Sequence, residues 1–135
     1  MSLAKVLIVD DNQDLAHALE LRLRANDYQV LLASNGTSAL ALAIAERPFA
    51  VLLDLHLPKE DGFAVMQELH CFPTLSSVPV IIVSADCSAV TQQRVLDTGA
   101  HAFLEKPVNH RLLLSILHSL HLHSQDPACA MVIED

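Results

Sequence analysis

The sequence predicts a doubly wound α/β fold built on a five-stranded parallel sheet. Short apolar segments alternate with helical segments about five times along the 135 residues. The apolar segments are nearly uninterrupted, as is typical of parallel strands that are covered on both faces. We therefore expect right-handed crossovers that place helices on both faces of the sheet.

Each strand is predicted from a short apolar run that is bounded by charged or turn-forming residues. Val80 to Val83 is the purest of these runs and is followed by Ser84. The third run is apolar up to Asp54, so that a single carboxylate stands at the end of a buried strand. The predicted strands cover residues 6–9, 28–33, 51–54, 79–83 and 102–105.

The helices are predicted from apolar side chains at three- and four-residue spacing. In the first helix, Leu15, Leu19 and Leu23 form such a stripe, which Ala16 and Ala18 join. The predicted helices cover residues 14–25, 38–46, 63–70, 89–98 and 109–121. The last helix is predicted to bury Leu112, Leu113, Ile116, Leu117 and Leu120.

Capping and glycine residues mark the predicted ends of the helices. Asp11 or Asn12 can cap the first helix, and Asn35-Gly36 is predicted to form the turn before the second. Residues 59–62 are predicted to form a polar turn, whose glycine, Gly62, tolerates a positive φ. Gly99 is the expected residue immediately after the fourth helix.

Composition excludes several classes of function. The chain has 16 acidic and 8 basic residues and a formal charge of −8, which disfavours direct binding to nucleic acid or to an anionic membrane. Its three cysteines are widely spaced and form no CxxC motif, so neither a disulfide framework nor a zinc site is indicated. With 52% hydrophobic residues and no apolar run of membrane-spanning length, we expect a cytoplasmic domain with a sizeable core and no membrane segment.

Polar residues stand at the carboxyl ends of four predicted strands: Asp10 and Asp11 after the first, Asp54 at the third, Ser84 at the fourth and Lys106 after the fifth. Each of them alone could be a helix cap or a turn former. In a doubly wound sheet, however, ligands bind beyond these strand ends, where the five residues would converge. Crowded carboxylates favour a divalent cation, and an all-oxygen site suits Mg²⁺.

Such a cluster fits phosphoryl transfer. A carboxylate beside Mg²⁺ can attack phosphorus, and the charge that spreads over the phosphoryl oxygens needs cations and hydrogen-bond donors. Lys106 would supply a point charge and Ser84 a hydroxyl.

The ordered motifs closely resemble the receiver domain of two-component response regulators, in the chemotaxis-regulator-like superfamily. The resemblance covers about residues 4–121. It implies a flavodoxin-like sheet of strand order 2-1-3-4-5, with a receiver domain at residues 1–123 and a tail or the start of a linker at residues 124–135. The motifs that carry it are Asp10-Asp11, Asp54 with Pro58 and Asp61-Gly62, Ser84-Ala85, and Lys106-Pro107.

The resemblance also implies roles at the metal and phosphoryl site. Asp54 would accept a phosphoryl group from a histidine kinase or a histidine phosphotransfer protein. Asp11 would bind Mg²⁺ directly, Asp10 would act mostly through water, and the backbone carbonyl of His56 would complete the metal site. The bond between Lys106 and Pro107 would be cis.

Further roles concern the response to phosphorylation. The Ser84 hydroxyl would swing toward the phosphoryl group, and Phe103 would rotate inward with it. A downstream partner or a second copy would then bind the surface of helix 4, strand 5 and helix 5. His56 and Asp86 would tune how fast water removes the phosphate. Such a domain catalyses its own phosphorylation and dephosphorylation but is not a turnover enzyme.

Three positions carry residues that differ from those most common in the family. Ser84 stands where threonine is more frequent, Ala64 where an acid often follows the Asp-Gly turn, and Phe49 where aspartate is common. None of them removes a catalytic group, so they bear on the partner surface and the kinetics.

For some residues the sequence leaves two interpretations open. Phe103 could be a simple core residue, and His118, His121 and His123 could bind a transition metal, although the charge at a helix C-terminus explains them more simply. A haloacid-dehalogenase-type phosphatase would need an acid where His56 stands.

Two further classes of protein fit the sequence less well than a receiver domain. A dinucleotide-binding enzyme would need a glycine-rich motif that three glycines in the whole chain cannot supply. A pseudo-receiver that only binds proteins would not need the intact acid, hydroxyl and lysine set. The chain is either a stand-alone regulator or a receiver module excised from a hybrid histidine kinase or multidomain regulator.

Overall fold

A computed structural model describes residues 4–125, which form the predicted parallel sheet with helices on both faces. The sheet order in this part of the chain is β2-β1-β3-β4-β5, so the predicted order 2-1-3-4-5 is confirmed. The strands are β1 Lys5–Val9, β2 Gln29–Ala33, β3 Ala50–Asp54, β4 Val80–Ser84 and β5 Ala102–Glu105. The helices are α1 Gln13–Ala25, α2 Gly36–Glu46, α3 Gly62–His70, α4 Ala89–Asp97 and α5 His110–Gln125.

Two smaller elements lie between β3 and β4. His56–Leu57 pairs antiparallel with Glu60–Asp61, forming a short hairpin directly after β3. Lys59, at its turn, has a φ of 63°. A 3-10 turn at Pro73–Leu75 buries Leu75, in a segment for which neither a helix nor a strand is predicted.

Successive strand residues point to opposite faces, which divides the core into two layers. Leu53 and Ile82 pack with α2 and α3 on one face, whereas Leu52 and Ile81 pack with α1 and α5 on the other. Every residue of β3 and β4 is buried. These two strands are therefore fixed from both sides, which fixes the ends that carry Asp54 and Ser84.

The buried face of α5 is narrower than predicted. Leu113 and Leu117 are buried, and Ile116 and Leu120 are partly buried, but Leu112 is 48% exposed. One residue along a helix is a rotation of about 100°, so the residue before Leu113 turns away from the sheet. The prediction for Leu112 is wrong, and Ala18 on α1 is likewise exposed.

The helix ends match the predictions in part. Asn12 caps α1, accepting a hydrogen bond from the Leu15 N–H at 3.1 Å, and Gly99 has the expected positive φ of 80°. Asn35 caps α2 rather than forming a separate turn, because Gly36 is already helical.

In the turn over residues 59–62, the positive φ falls at Lys59. A Cβ at Gly62 would lie 2.7 Å from the Leu55 Cα, so the site needs glycine for space.

The amino-terminal edge of the sheet is closed by aromatic contacts. Phe49 stacks on Tyr28 with ring centroids 5.9 Å apart, and His121 of α5 meets Phe49 edge-on at 5.6 Å. Phe49, one of the departures from the family pattern, thus packs against α5 at the end of the molecule remote from Asp54. No helix within residues 4–125 is long and apolar enough to cross a membrane.

The carboxyl-terminal boundary is described only in part. α5 continues to Gln125, four residues beyond its predicted end at His121. Residues 126–135, most of the predicted tail or linker, lie outside the described residues, so the boundary at residue 123 stays a prediction.

Candidate functional site

Three predicted acids and a lysine meet at the carboxyl end of the sheet. Asp10 and Asp11 follow β1, Asp54 ends β3, and Lys106 follows β5. Asp10, Asp11 and Asp54 each offer a carboxylate oxygen, and these oxygens all lie within 4.8 Å of one another. Parallel strands bring their carboxyl ends to one edge, which is why residues so distant in sequence meet here.

Lys106 lies between the two buried acids. Its Nζ is 3.2 Å from Asp54 Oδ2 and 3.5 Å from Asp10 Oδ2. Asp10 and Asp54 are 6% and 5% exposed, so this cation supplies charge compensation where water contributes little. The backbone of Lys106 is fixed to the end of β4, because the Lys106 N–H donates to the Ser84 carbonyl at 2.9 Å.

The second oxygen of each buried acid accepts a backbone hydrogen bond. The Asn12 N–H donates to Asp10 Oδ1 at 2.9 Å, and the His56 N–H donates to Asp54 Oδ1 at 3.0 Å. Both donors stand two residues after the acid, so the chain turns back over its own strand end. These bonds fix the orientation of both carboxylates.

The cluster fits a hard divalent cation. Its three acids outnumber the single bridging lysine, which leaves an excess of negative charge, and all of the side-chain ligands are oxygens. Asp11 is exposed, so one side of the cluster opens to solvent for the waters that Mg²⁺ retains.

Within residues 4–125, no other group of three or more acids, histidines or cysteines has this spacing. His118 and His121 therefore belong to no such group, and the side chain of His123 lies outside what the structure describes.

The electrostatic conflict in the cluster is visible at Asp10. Burial raises the pKa of the Asp10 carboxyl, and the negative charge of Asp54 raises it further. The Asn12 N–H and the charge of Lys106 lower the pKa, but they only partly offset the increase.

We expect Asp10→Asn to raise the melting temperature of the metal-free protein at neutral pH. Because folding raises the pKa of Asp10, the folded state holds this proton more tightly, and the free energy of unfolding falls as pH rises through that pKa. The asparagine removes this penalty and keeps an acceptor for the Asn12 N–H. Thermal melts in EDTA across a pH series check this, and a lower melting temperature for the variant at pH 7 contradicts it.

Ser84 is fully buried at the end of β4, next to the acids in the sheet order but engaged elsewhere. Its Oγ accepts a hydrogen bond from the Asp86 N–H at 3.0 Å. The Asp86 carboxylate in turn accepts from the Ser88 N–H at 3.0 Å and from Thr91 Oγ1 at 2.7 Å. These bonds lower the pKa of Asp86. A continuous series of hydrogen bonds thus joins Ser84 to the first turn of α4.

The remaining predicted residues surround the cluster. Phe103, on β5, is partly buried against the core layer of α2 and α3, so its side chain is neither fully inserted nor fully exposed. His56 is exposed, and with Asp86 it lines a cavity of about 530 Å³ between the β3–α3 hairpin and α4. The Lys106-Pro107 peptide bond is cis, as the resemblance implied.

Sequence reasoning missed two charged residues beside this cavity, Arg94 and Glu60. Arg94 of α4 reaches Asp61 at 3.1 Å, and its guanidinium lies 4.2 Å from the centre of the Phe63 ring. Glu60 binds the first N–H of α2 through both of its carboxylate oxygens. These partners are 33 and 24 residues apart in sequence, so no local pattern could have indicated them.

An open parallel sheet with an acid cluster and a lysine at its carboxyl edge defines the receiver class of signalling domain. Residues 6–118 match the response regulator receiver domain family, and the chain belongs to that family. It is thereby a signalling domain of two-component systems rather than an enzyme of the ordinary kind.

Individual relatives agree with this assignment. The chain is 36% identical over 117 residues to the response regulator PleD of Caulobacter vibrioides. The matched region is 87% of this chain and 26% of PleD. It is 34% identical to the protein PilH of Pseudomonas aeruginosa, covering 87% of this chain and 98% of PilH.

Among solved structures, the chemotaxis protein CheY4 of Vibrio cholerae superposes with a TM-score of 0.82 at 28% identity, covering 88% of this chain and 99% of CheY4. The chain spans about a quarter of the length of PleD. It spans about half of the length of the probable transcriptional regulators ycf27, which it also resembles.

Proposed function

We propose that this domain receives a phosphoryl group on Asp54 from a histidine kinase or a histidine phosphotransfer protein. The observation that carries the proposal is the position of Lys106 Nζ, between Asp54 and Asp10, within a cluster of three acids. In the proposed reaction, a carboxylate oxygen of Asp54 attacks phosphorus. The new O–P bond forms as the P–N bond to the donor histidine breaks, and the imidazole leaves with the electron pair of that bond.

Mg²⁺ would be held by Asp10, Asp11, Asp54 and the backbone carbonyl of His56. The three carboxylates of the cluster are oxygen ligands, which Mg²⁺ prefers. When bound, Mg²⁺ neutralises negative charge on the acids and on the phosphoryl oxygens. Whether Asp54 can bind the ion depends on the orientation of its carboxylate, and the His56 N–H bond to Oδ1 fixes that orientation. Lys106 supplies a second positive charge. Its ammonium group would leave Asp54 and bind the phosphoryl oxygens instead.

Ser84 is the proposed link between the phosphoryl group and the surface. If its hydroxyl turns toward a phosphoryl oxygen, it leaves the Asp86 N–H, and the series of bonds through Asp86 and Thr91 to α4 must rearrange. Phe103 is the second residue that we propose to move, since its ring is only partly buried and can become more so. His56 and Asp86 line the cavity between the hairpin and α4, and we propose that they set the rate at which water removes the phosphate.

The proposed output surface is formed by α4, β5 and α5. Val90 and Leu96 on α4 are 79% and 72% exposed, and Leu112 on α5 is 48% exposed, which gives these helices apolar contact area. A downstream protein or a second copy of the chain would bind there. The acidic net charge argues against direct contact with nucleic acid by this domain.

The relatives include both short and long proteins. PilH is matched over 98% of its length and PleD over only 26%. A stand-alone regulator and a receiver module of a hybrid kinase or multidomain regulator are thus both compatible with the family. In either arrangement, we place the domain in the cytoplasm with its kinase partner.

We expect beryllofluoride with Mg²⁺, which mimics the phosphorylated aspartate, to shift amide resonances well beyond the Asp54 pocket. Residues 86–104 should move, because Ser84 begins the connection into α4 and Phe103 lies on β5. Two-dimensional NMR of the labelled protein with and without the mimic measures this. Shifts restricted to the pocket would mean that the switch is lost, and the absence of any shift would favour a pseudo-receiver that only binds proteins.

A further inference from the structure

Glu60 joins the hairpin after β3 to the first turn of α2. The Gly36 N–H donates to Glu60 Oε1 at 2.9 Å and to Oε2 at 3.1 Å, across 24 residues of sequence. A Cβ at position 36 would collide with Glu60 Oε2 and would approach Val65 Cγ2 to 2.8 Å. The glycine therefore makes room for the carboxylate.

The anchoring point on α2 is rigid and electrostatically suited to a carboxylate. Ala39 and Ala43 are fully buried, so α2 lies close against the sheet. The amino-terminal N–H groups of a helix carry partial positive charge, and a carboxylate that accepts from them forms a charge-assisted hydrogen bond. Asn35 already satisfies the Ser38 N–H of the same turn, and Glu60 adds the bond to the first residue.

The tether acts on the backbone that carries a proposed metal ligand. In the hairpin, Glu60 is opposite Leu57 and Asp61 is opposite His56, with Lys59 in the left-handed conformation at the turn. His56 is thus held at one end by its N–H bond to Asp54 and at the other by the strand that Glu60 tethers. A displaced Glu60 strand would carry the His56 carbonyl with it.

The opposite side of the hairpin is held less firmly. Asp61 pairs with Arg94 of α4 at 3.1 Å, but both side chains are about half exposed, at 49% and 57%. Exposed ion pairs contribute little to holding a geometry. Of the two polar side-chain contacts that join the hairpin to α2 and to α4, the one with α2 is therefore the better shielded from water, and it adds to the burial of Leu57 in the core.

We propose that Glu60 is a positioning residue for the Mg²⁺ site, which keeps the His56 carbonyl aimed at the ion by fixing the hairpin to α2. The inference rests on the proposed function, since it assumes that Mg²⁺ binds the acids beside His56. Glu60 does not belong to the three-acid cluster, so its proposed role is exerted through the hairpin backbone.

The test compares Glu60→Ala with Glu60→Gln. Both remove one negative charge, but only glutamine keeps a side-chain oxygen that can accept from the Gly36 N–H. An NMR titration with Mg²⁺ gives the dissociation constant of each variant, and amide hydrogen exchange of Gly36 reports whether the tether is formed. Glu46→Ala is the matched control, because it removes a glutamate at the end of α2 that lies away from the hairpin and pairs with Lys5 at 2.9 Å.

We expect Glu60→Ala to bind Mg²⁺ about tenfold more weakly, as is typical when a group that orients a metal ligand is lost. Its Gly36 amide should exchange faster. Glu60→Gln, which keeps a neutral acceptor, should lie between Glu60→Ala and the wild type in both respects, and Glu46→Ala should match the wild type. A merely structural role would lower the melting temperature without separating glutamine from alanine in Mg²⁺ affinity.

Two results overturn the inference alone: wild-type affinity in Glu60→Ala, or an equal loss in Glu60→Gln and Glu60→Ala. A wild-type protein that binds no Mg²⁺ and accepts no phosphoryl group would overturn the proposed function as well, so the two failures are distinguishable.

Discussion

Asp54→Asn is expected to abolish phosphoryl transfer from acetyl phosphate in the presence of Mg²⁺. The amide oxygen is neutral and is a far weaker nucleophile than a carboxylate, and loss of a covalent nucleophile can remove a factor on the order of 10⁶ in rate. The variant keeps an acceptor for the His56 N–H but loses the charge that pairs with Lys106. Intact-mass spectrometry of the protein before and after incubation measures the uptake.

The variant must be shown to fold. We expect its metal-free melting temperature to be no lower than that of the wild type, because it removes one charge from a cluster in which Asp54 raises the pKa of Asp10. Asp14→Asn, an acid in the exposed first turn of α1, is the matched control and should be labelled as the wild type is. Labelling of Asp54→Asn at the wild-type rate, through an acid-stable bond, contradicts the assignment of Asp54.

Mg²⁺ is expected to raise the melting temperature of the wild type, and Asp11→Asn to remove most of that gain. A ligand that binds only the folded state stabilises it by about 2.7 kcal/mol at a concentration 100 times its dissociation constant. Asp11 is exposed, so its replacement leaves the core intact while removing a proposed metal ligand from the cluster. Melting curves at increasing MgCl₂ measure the effect in both proteins.

A parallel series in NaCl of equal ionic strength separates the effect of Mg²⁺ binding from the screening of surface charge by salt. Asp14→Asn again serves as the control, since it removes a nearby acid outside the three-acid cluster and should keep the full response. If Asp11→Asn is stabilised by Mg²⁺ as much as the wild type is, the ion binds elsewhere.

The fold and the cluster were predictable because each rests on local signals that agree. The apolar runs of β3 and β4 required burial on both faces, which the sheet supplies. Once the strands were parallel, their ends had to meet, and Asp54 and Lys106 were brought together although they are 52 residues apart. The prediction succeeded because the local strand signals determine the topology, and the topology brings these two residues together.

Details that depend on neighbouring elements were not predictable. Leu112 fits the apolar pattern of α5, but the rotation of the helix against the sheet leaves it outside the buried stripe. The sequence indicates only that Gly62 tolerates a positive φ, whereas the close approach of Leu55 is what requires this glycine. Glu60 and Arg94 were invisible because their partners lie on other elements and nothing in the adjacent sequence distinguishes them from solvated charges.

The central claim, that Asp54 is the phosphoacceptor, is tested most directly by locating the bond. The protein is incubated with acetyl phosphate and Mg²⁺, the acyl phosphate is trapped by borohydride reduction, and the peptides are sequenced by mass spectrometry. The account predicts a single reduced residue, homoserine, at position 54. Reduction at Asp10, Asp11 or another acid, with Asp54 unmodified, would contradict it.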